Sequence, residues 1–332
     1  MNSIEIIFEH IYFLHQKMKS FNTEIYNKSI SFSLYDNQLK LVVFSEEDYD
    51  SLLCFCLELD SMMYLYLGSF PQIKSIKYND EHKDITNLAN KYVTDSRFSR
   101  ATMVLCDIAA STINEEIYSL FKENVLWTPF YSMQYIVSAE YKGVLPVHRL
   151  TLMTHVLEGI IDIAQEKRSE INTELKEKYN IEKGENLGKY LIQASVVTAP
   201  LLQANNIYNA DILELLKCNE YTFLQTITDT RNWYSHMWKE KDKTNKLKEG
   251  TPMAIYFELL YCTVRLYLIK TVLGLEVEGR FIKEHLYVLH DWIVEVYSLE
   301  KEFKSNTYIL NESLKEFQKK MREITEQMVE PE

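Results

Sequence analysis

Turn-forming residues are scarce in this chain: 332 residues hold 8 glycines and 6 prolines, against an average usage of about 7% and 5%. Glycine supplies the positive-φ positions of tight turns, and proline presets others. A chain short of both has few places to reverse, and long helices need the fewest reversals. The first expectation is therefore a mainly α protein. A hydrophobic fraction of 46% and a charged fraction of 25% allow a sizeable core in one large domain or two ordinary ones.

The pattern along the chain divides that expectation. In residues 29–44, "SISFSLYDNQLKLVVF", apolar and polar residues alternate around Asp36-Asn37, which predicts a hairpin. Ser45, with Asp48 three residues on, resembles a capping box before "EEDYDSLLCFCLELDSMMYLYLG", and Gly68 is placed to stop that helix. A strand over 52–57 stays open as the alternative. Residues 70–80 read as a strand entering a turn and 113–124 as a helix, while 81–112 yield no assignment. From about 128 the periodicity is helical. Leu150, Met153, Val156, Leu157, Ile160, Ile161 and Ala164 recur at spacings of three and four, marking one apolar helix face. Residues 169–186 read as a charge-mixed connector. Further helices are expected over 187–206 (broken at Pro200), 220–236, 253–275 and 280–298, with a polar loop at 239–252. The predicted organisation is an N-terminal α+β domain over 1–140, a helical bundle over 145–298 and a charged helical tail over 299–332. There are no internal repeats.

The net charge is −12. Affinity for a long nucleic-acid backbone comes largely from neutralising phosphates, so broad, non-specific binding is disfavoured. A small basic site on an acidic body remains compatible with that charge. Cys54, Cys56, Cys106, Cys218 and Cys262 are odd in number and form no C-x-x-C, so neither a disulfide framework nor a zinc set is expected. The start "MNSIEIIFEHIYFLHQ" carries Glu5, Glu9 and His10 and lacks a basic leader and a cleavage site, so it reads as part of the fold. No apolar run reaches the roughly 18–20 residues of a membrane span. The expected setting is the cytoplasm.

The chemistry concentrates at 229–243, "DTRNWYSHMWKEKDK". On a helix, Asn232 and His236 stand at i and i+4, on one face. Arg231 lies off that stripe, within reach of it through its long side chain or through fraying of the last turn. Arginine offers phosphate a charged fork, and histidine exchanges a proton near neutral pH. Together they suit metal-independent RNA cleavage, in which the 2′-OH is deprotonated, the leaving 5′-oxygen is protonated and Arg231 stabilises the pentavalent phosphorane. One histidine does not easily serve both ends. A two-fold dimer would supply two. Six basic residues (Arg231, Lys239, Lys241, Lys243, Lys246, Lys248) stand against Glu240, Asp242 and Glu249 between 231 and 250, a local excess of positive charge.

This arrangement resembles the HEPN signature, Arg-Asn-x-x-x-His. The stretch from Asp229 through the polar loop into "MAIYFELLYCTVRLYLIKTVLGL" is similar to the C-terminal half of ApeA-like HEPN proteins. An upstream helix like 146–166, with an acid near Glu158, fits as well, so the resemblance covers about 145–298. It implies a HEPN helical bundle and a dimeric, metal-independent endoribonuclease that takes RNA as its partner and needs no cofactor. It also implies Arg231 and His236 as the catalytic pair and Asn232 as the residue orienting one of them. Lys239, Lys241 and Tyr234 are the candidates for substrate contact, and Glu158 for support. The family association with anti-phage defence implies an N-terminal domain that responds to a phage or cellular trigger. Trp238 stands where toxins paired with a nucleotidyltransferase carry a tyrosine, which weakens that variant of the reading.

Blander readings stand beside these. The spacing alone recurs at Arg149–His155 and Arg280–His285, where Leu150 and Phe281 follow the arginine, and both matches read as coincidence. Arg231 and His236 would also serve as cations at a helix C-terminus. The lysines fit a solvated loop, Trp233, Tyr234 and Trp238 fit packing, and Glu158 fits a partly exposed helix acid. His285, His290 and Asp291 do not have a metal-binding spacing. No glycine-rich phosphate loop occurs. A HEPN scaffold that binds RNA or protein without cleaving is the rival function.

Overall fold

The computed structural model describes residues 1–9, 20–35, 38–68, 72–86, 104–126, 128–136, 146–163 and 251–277, with single helical positions between 223 and 234. The chain divides into two compact units, Met1–Val144 with Val264–Phe281, and Leu145–Thr263 with Ile282–Glu332.

The first unit is built on a six-stranded antiparallel sheet in the order β2-β3-β4-β1-β5-β6. Its strands are β1 (Asn2–Glu9), β2 (Phe21–Ile25), β3 (Lys28–Tyr35), β4 (Gln38–Ser45), β5 (Gln72–Tyr78) and β6 (Glu81–Lys83). The opening segment is thus a central strand, with β4 on one side and β5 on the other. The expectation of a mainly α chain with its fold set by a helical bundle does not hold: the N-terminal part is mostly β. The physical reason lies in the turns. Tyr26-Asn27 and Asn79-Asp80 join β2 to β3 and β5 to β6, and all four residues hold positive φ. That is the signature of type I′ hairpin turns, which asparagine and aspartate enter at low cost. These hairpins need no glycine, so its scarcity did not argue against a sheet.

Strand alternation makes one face apolar. Ile4, Ile6 and Phe8 of β1, Ile30 and Phe32 of β3, and Leu39, Leu41 and Val43 of β4 are buried. On β5 the buried residues are Ile73 and Ile76, three apart rather than two. A bulge explains this: the β1–β5 register shifts between Ile7 and Phe8, so that Phe8 pairs with Ile73 and Ile6 with Ile76. The extra residue returns both isoleucines to the inner face. The outer face is charged, with Glu5 paired to Lys40 and Lys77, and Glu9 to Lys74. Burial pushes the Glu5 carboxyl up, but its bonds and charge contacts with the two lysines together hold it below its ordinary value.

The predicted 29–44 hairpin is present as β3 and β4, and the strand entering a turn at 70–80 as β5. Residues 52–57 lie in helix α1 (Tyr49–Leu67), which excludes the strand alternative. The cap differs from expectation. Asp48 is the N-cap and accepts from the Ser51 amide at 2.9 Å, while Ser45 ends β4. Gly68 stops the helix at φ 77, as expected. From Leu59 to Leu67 every residue of α1 is buried. The sheet packs against this helix, as does α2 (Glu115–Asn124). The 113–124 reading is met by α2, which Asn114 caps by accepting from the Ile117 amide at 3.1 Å. In α3 (Thr128–Ile136), Phe130 packs edge-on to Phe121 and Tyr64.

A carboxyl sits inside this core. Asp60 on α1 is buried, and its Oδ1 has no hydrogen-bond partner among the described residues. Burial raises it well above the ordinary 3.8, because desolvation penalises the ionised form. The folded state therefore holds the proton at pH values where the unfolded chain has released it. The associated stability is full below 3.8 and is lost as pH rises from there through the folded-state value. Asp60→Asn, of the same shape and never charged, is expected to melt higher than wild type at pH 7.5, with the gap closing towards pH 4. Thermal melts across that range check this, and a gap independent of pH would contradict it.

Helix α5 (Thr251–Tyr267) continues into a π-helical turn at Leu268–Val272 and ends before Gly274. Its residue Arg265 belongs to the first unit and is fully buried. Arg265 Nε donates to the Leu65 carbonyl at 2.9 Å and Nη2 to the Tyr66 carbonyl at 2.8 Å. Tyr66 O also accepts from the Leu105 amide at 2.9 Å, and Tyr64 O from the Gly68 amide at 2.7 Å. The last-turn carbonyls that a helix cannot pair by itself are thereby paired at Tyr64, Leu65 and Tyr66.

In the second unit, α4 (Pro146–Ile163) meets the helix predicted over 145–168, and residues 251–263 belong to the predicted 253–275 helix. Residues 169–206, the loop at 239–250, the helix expected over 280–298 and the tail lie outside the described residues. Among the described residues, no helix is long and apolar enough to cross a membrane.

Candidate functional site

Proline is favoured at the first helical position, where its missing N–H costs nothing, and Pro146 opens α4 there. Leu150, Met153 and Val156 bury one face, as their spacing predicts. Thr154 is also buried, its hydroxyl turned back to donate to the Thr151 carbonyl at 2.6 Å. His148 and His155, seven residues apart, are exposed. They therefore share the side of the helix away from the core.

The described positions between 223 and 234 are helical. Phe223, Ile227 and Thr230 are buried at spacings of four and three, and Phe223 stacks on Tyr256 of α5 at 4.9 Å. The Thr230 hydroxyl donates to the Thr226 carbonyl at 2.6 Å. This packing fixes the backbone immediately before Arg231, whose side chain is half-buried. Arg231 Nη2 lies 3.5 Å from His155 Nε2. A guanidinium has donors only, so any hydrogen bond between the two would have the imidazole nitrogen as its acceptor.

Of the residues expected at the site, Arg231 and Tyr234 are described. Tyr234 is half-buried and stands edge-on to Trp233, ring centroids 4.7 Å apart. Glu158 lies on α4, one turn beyond His155. Asn232, His236, Lys239 and Lys241 lie outside the described residues. His155, which stands beside Arg231, figured in the sequence only as the end of the Arg149–His155 spacing.

A cationic fork beside an exposed imidazole is suited to an oxyanion. The guanidinium can bind two phosphate oxygens at once, and the imidazole can accept or release a proton. Among the described residues, no group of three or more His, Cys, Asp or Glu is placed to hold a metal ion. Searches against protein-family models, curated proteins and solved structures return no match.

Proposed function

We propose that this chain is a metal-independent endoribonuclease of HEPN type, with Arg231 and His236 as its catalytic pair. The observation that carries the reading is Arg231 itself. It opens the Arg-Asn-x-x-x-His motif, and its guanidinium stands beside an exposed imidazole. In the proposed reaction a base removes the 2′-OH proton and the 2′-oxygen attacks phosphorus. The P–O5′ bond then breaks as the 5′-oxygen takes a proton. Arg231 holds the charge that builds on the non-bridging oxygens. Asn232 orients His236, Lys239 and Lys241 track the backbone, and Tyr234 stacks a base. A homodimer brings a second His236 to the cleft, so that one imidazole serves each end of the reaction. The proposed role is cytoplasmic defence against phage through RNA damage, with the N-terminal unit answering to a phage or cellular trigger.

The rival is a scaffold that binds RNA or protein without cleaving, and the net charge of −12 favours it. The purified protein in EDTA is expected to cleave total RNA to products with 2′,3′-cyclic phosphate and 5′-hydroxyl ends. An oligonucleotide carrying 2′-deoxyribose throughout should survive. Cleavage of the deoxy strand would exclude 2′-OH attack, and binding without cleavage, also in extracts from phage-infected cells, would favour the scaffold.

A further inference from the structure

Nearly every buried polar atom in a folded protein has a hydrogen-bond partner, and an atom without one calls for an explanation. Asp60 Oδ1 on α1 and Gln134 Nε2 on α3 are two such atoms among the described residues. The side chains are deep in the first unit, Asp60 at 1% exposed and Gln134 at 7%. The two helices meet where these residues lie. Tyr64, one turn after Asp60 on the same side of α1, donates its hydroxyl to the Met133 carbonyl at 3.3 Å. Aromatic side chains on a helix lean towards its N-terminus, so this hydroxyl reaches back over the turn that carries Asp60. Gln134 directly follows Met133. One turn before Gln134, Phe130 packs edge-on to the Tyr64 ring, centroids 6.0 Å apart. Phe130, Met133 and Gln134 are all buried. Asp60 and Gln134 thus belong to the same stretch of the α1–α3 seam, yet Oδ1 and Nε2 do not bond each other.

We propose that the seam between α1 and α3 is a binding site for one buried water molecule, held by Asp60 Oδ1 on one side and the Gln134 side-chain amide on the other. Two polar groups that face one another beyond bonding distance are the setting in which a water bridges. A buried water makes about two to four hydrogen bonds, and these two groups supply two. Water suits both partners, because it donates and accepts. It takes the N–H of an amide or gives a proton to its oxygen, whichever end of Gln134 faces the seam. Burial favours the protonated, uncharged form of the Asp60 carboxyl, so the fitting guest is neutral rather than a cation. A protonated carboxyl offers one O–H donor and keeps acceptor capacity, which water also matches. Alongside the Tyr64 hydroxyl, the bridged pair gives an otherwise apolar seam a second polar tie between α1 and α3 at a fixed register.

Two measurements test this, and neither depends on RNA cleavage. The first is a high-resolution crystal structure of the full-length wild-type protein. The expected result is one ordered water within hydrogen-bond distance, about 2.7–3.2 Å, of both Asp60 Oδ1 and the Gln134 amide. A seam without a water, a direct Asp60–Gln134 bond, or a water that reaches only one of the two overturns the shared site. The second is a urea-unfolding cycle of wild type, Asp60→Leu, Gln134→Leu and the double variant. In wild type, Gln134→Leu strips the water of a partner and leaves Asp60 short of its own. Once Asp60 is leucine, the bridge is already gone. Gln134→Leu is therefore expected to lower the urea midpoint in the wild-type background and to lower it much less, or raise it, in the Asp60→Leu background. Equal shifts in the two backgrounds mean that the residues act separately, which overturns the proposal. Where a leucine variant fails to fold, the wild-type crystal structure decides by itself.

Discussion

Arg231→Ala is expected to lower RNA cleavage by about a thousandfold while leaving the fold intact. Preorganised donors aimed at the developing charge are worth about 100- to 1,000-fold each, and arginines acting on phosphoryl groups about 10³–10⁵. Arg231→Lys should recover little, because an ammonium cannot bind two phosphate oxygens as a planar fork does. The fold should survive because buried Phe223, Ile227 and Thr230 carry the packing of this stretch, whereas Arg231 itself is half-buried. His236→Ala should be equally inactive if the motif is catalytic. If Arg231 serves as a cation at a helix end, its loss costs about 0.3–1 kcal/mol of stability and no activity. Cleavage rates and circular dichroism on the three variants separate these outcomes. Activity of Arg231→Ala within about threefold of wild type would remove Arg231 from the reaction.

The legible parts of this protein were those governed by local rules. Alternation around Asp36-Asn37 marked β3 and β4, Gly68 stopped α1, and apolar spacing marked α4. Composition misled where it was used to infer topology. Glycine scarcity pointed to helices, yet Asn27, Asn79 and Asp80 supply left-handed turn positions, and even Tyr26 adopts one. Tyr26 is held there by tertiary contacts, its amide donating to Glu115 Oε2 at 2.9 Å and its hydroxyl lying 2.6 Å from Ser119 Oγ. No local pattern announces a turn secured 89 residues away along the chain. The site shows the same division. Arg231 was marked by its neighbours in sequence, whereas His155 comes from another helix, 76 residues earlier. Arg265 was hidden in the same way, as one cation within an apolar helix whose partners are the carbonyls of Leu65 and Tyr66.

Those partners set the largest expected effect on stability. Arg265→Met leaves the Leu65 carbonyl without the N–H that pairs it and takes one of two from the Tyr66 carbonyl. It also takes a positive charge from the negative end of α1. Hydrogen bonds from charged groups contribute about 1.5–3 kcal/mol each, so the expected loss is about 3–5 kcal/mol, a large part of a total that is typically about 5–15 kcal/mol. Gly68 belongs to the same device. A β-carbon there would lie 2.4 Å from Arg265 Nη1 and 2.8 Å from its Cζ, on a residue held at φ 77. Gly68→Ala therefore carries two costs: about 1–2 kcal/mol for the left-handed backbone, and displacement of the guanidinium from the carbonyls it pairs. Only the first cost should remain once Arg265 is methionine, because the flexible thioether can move aside. Urea unfolding of wild type, Gly68→Ala, Arg265→Met and the double variant is thus expected to show strong non-additivity, with the glycine substitution costing much less in the methionine background. Additive losses would mean that the two residues act separately and that Gly68 is required for its backbone angle alone.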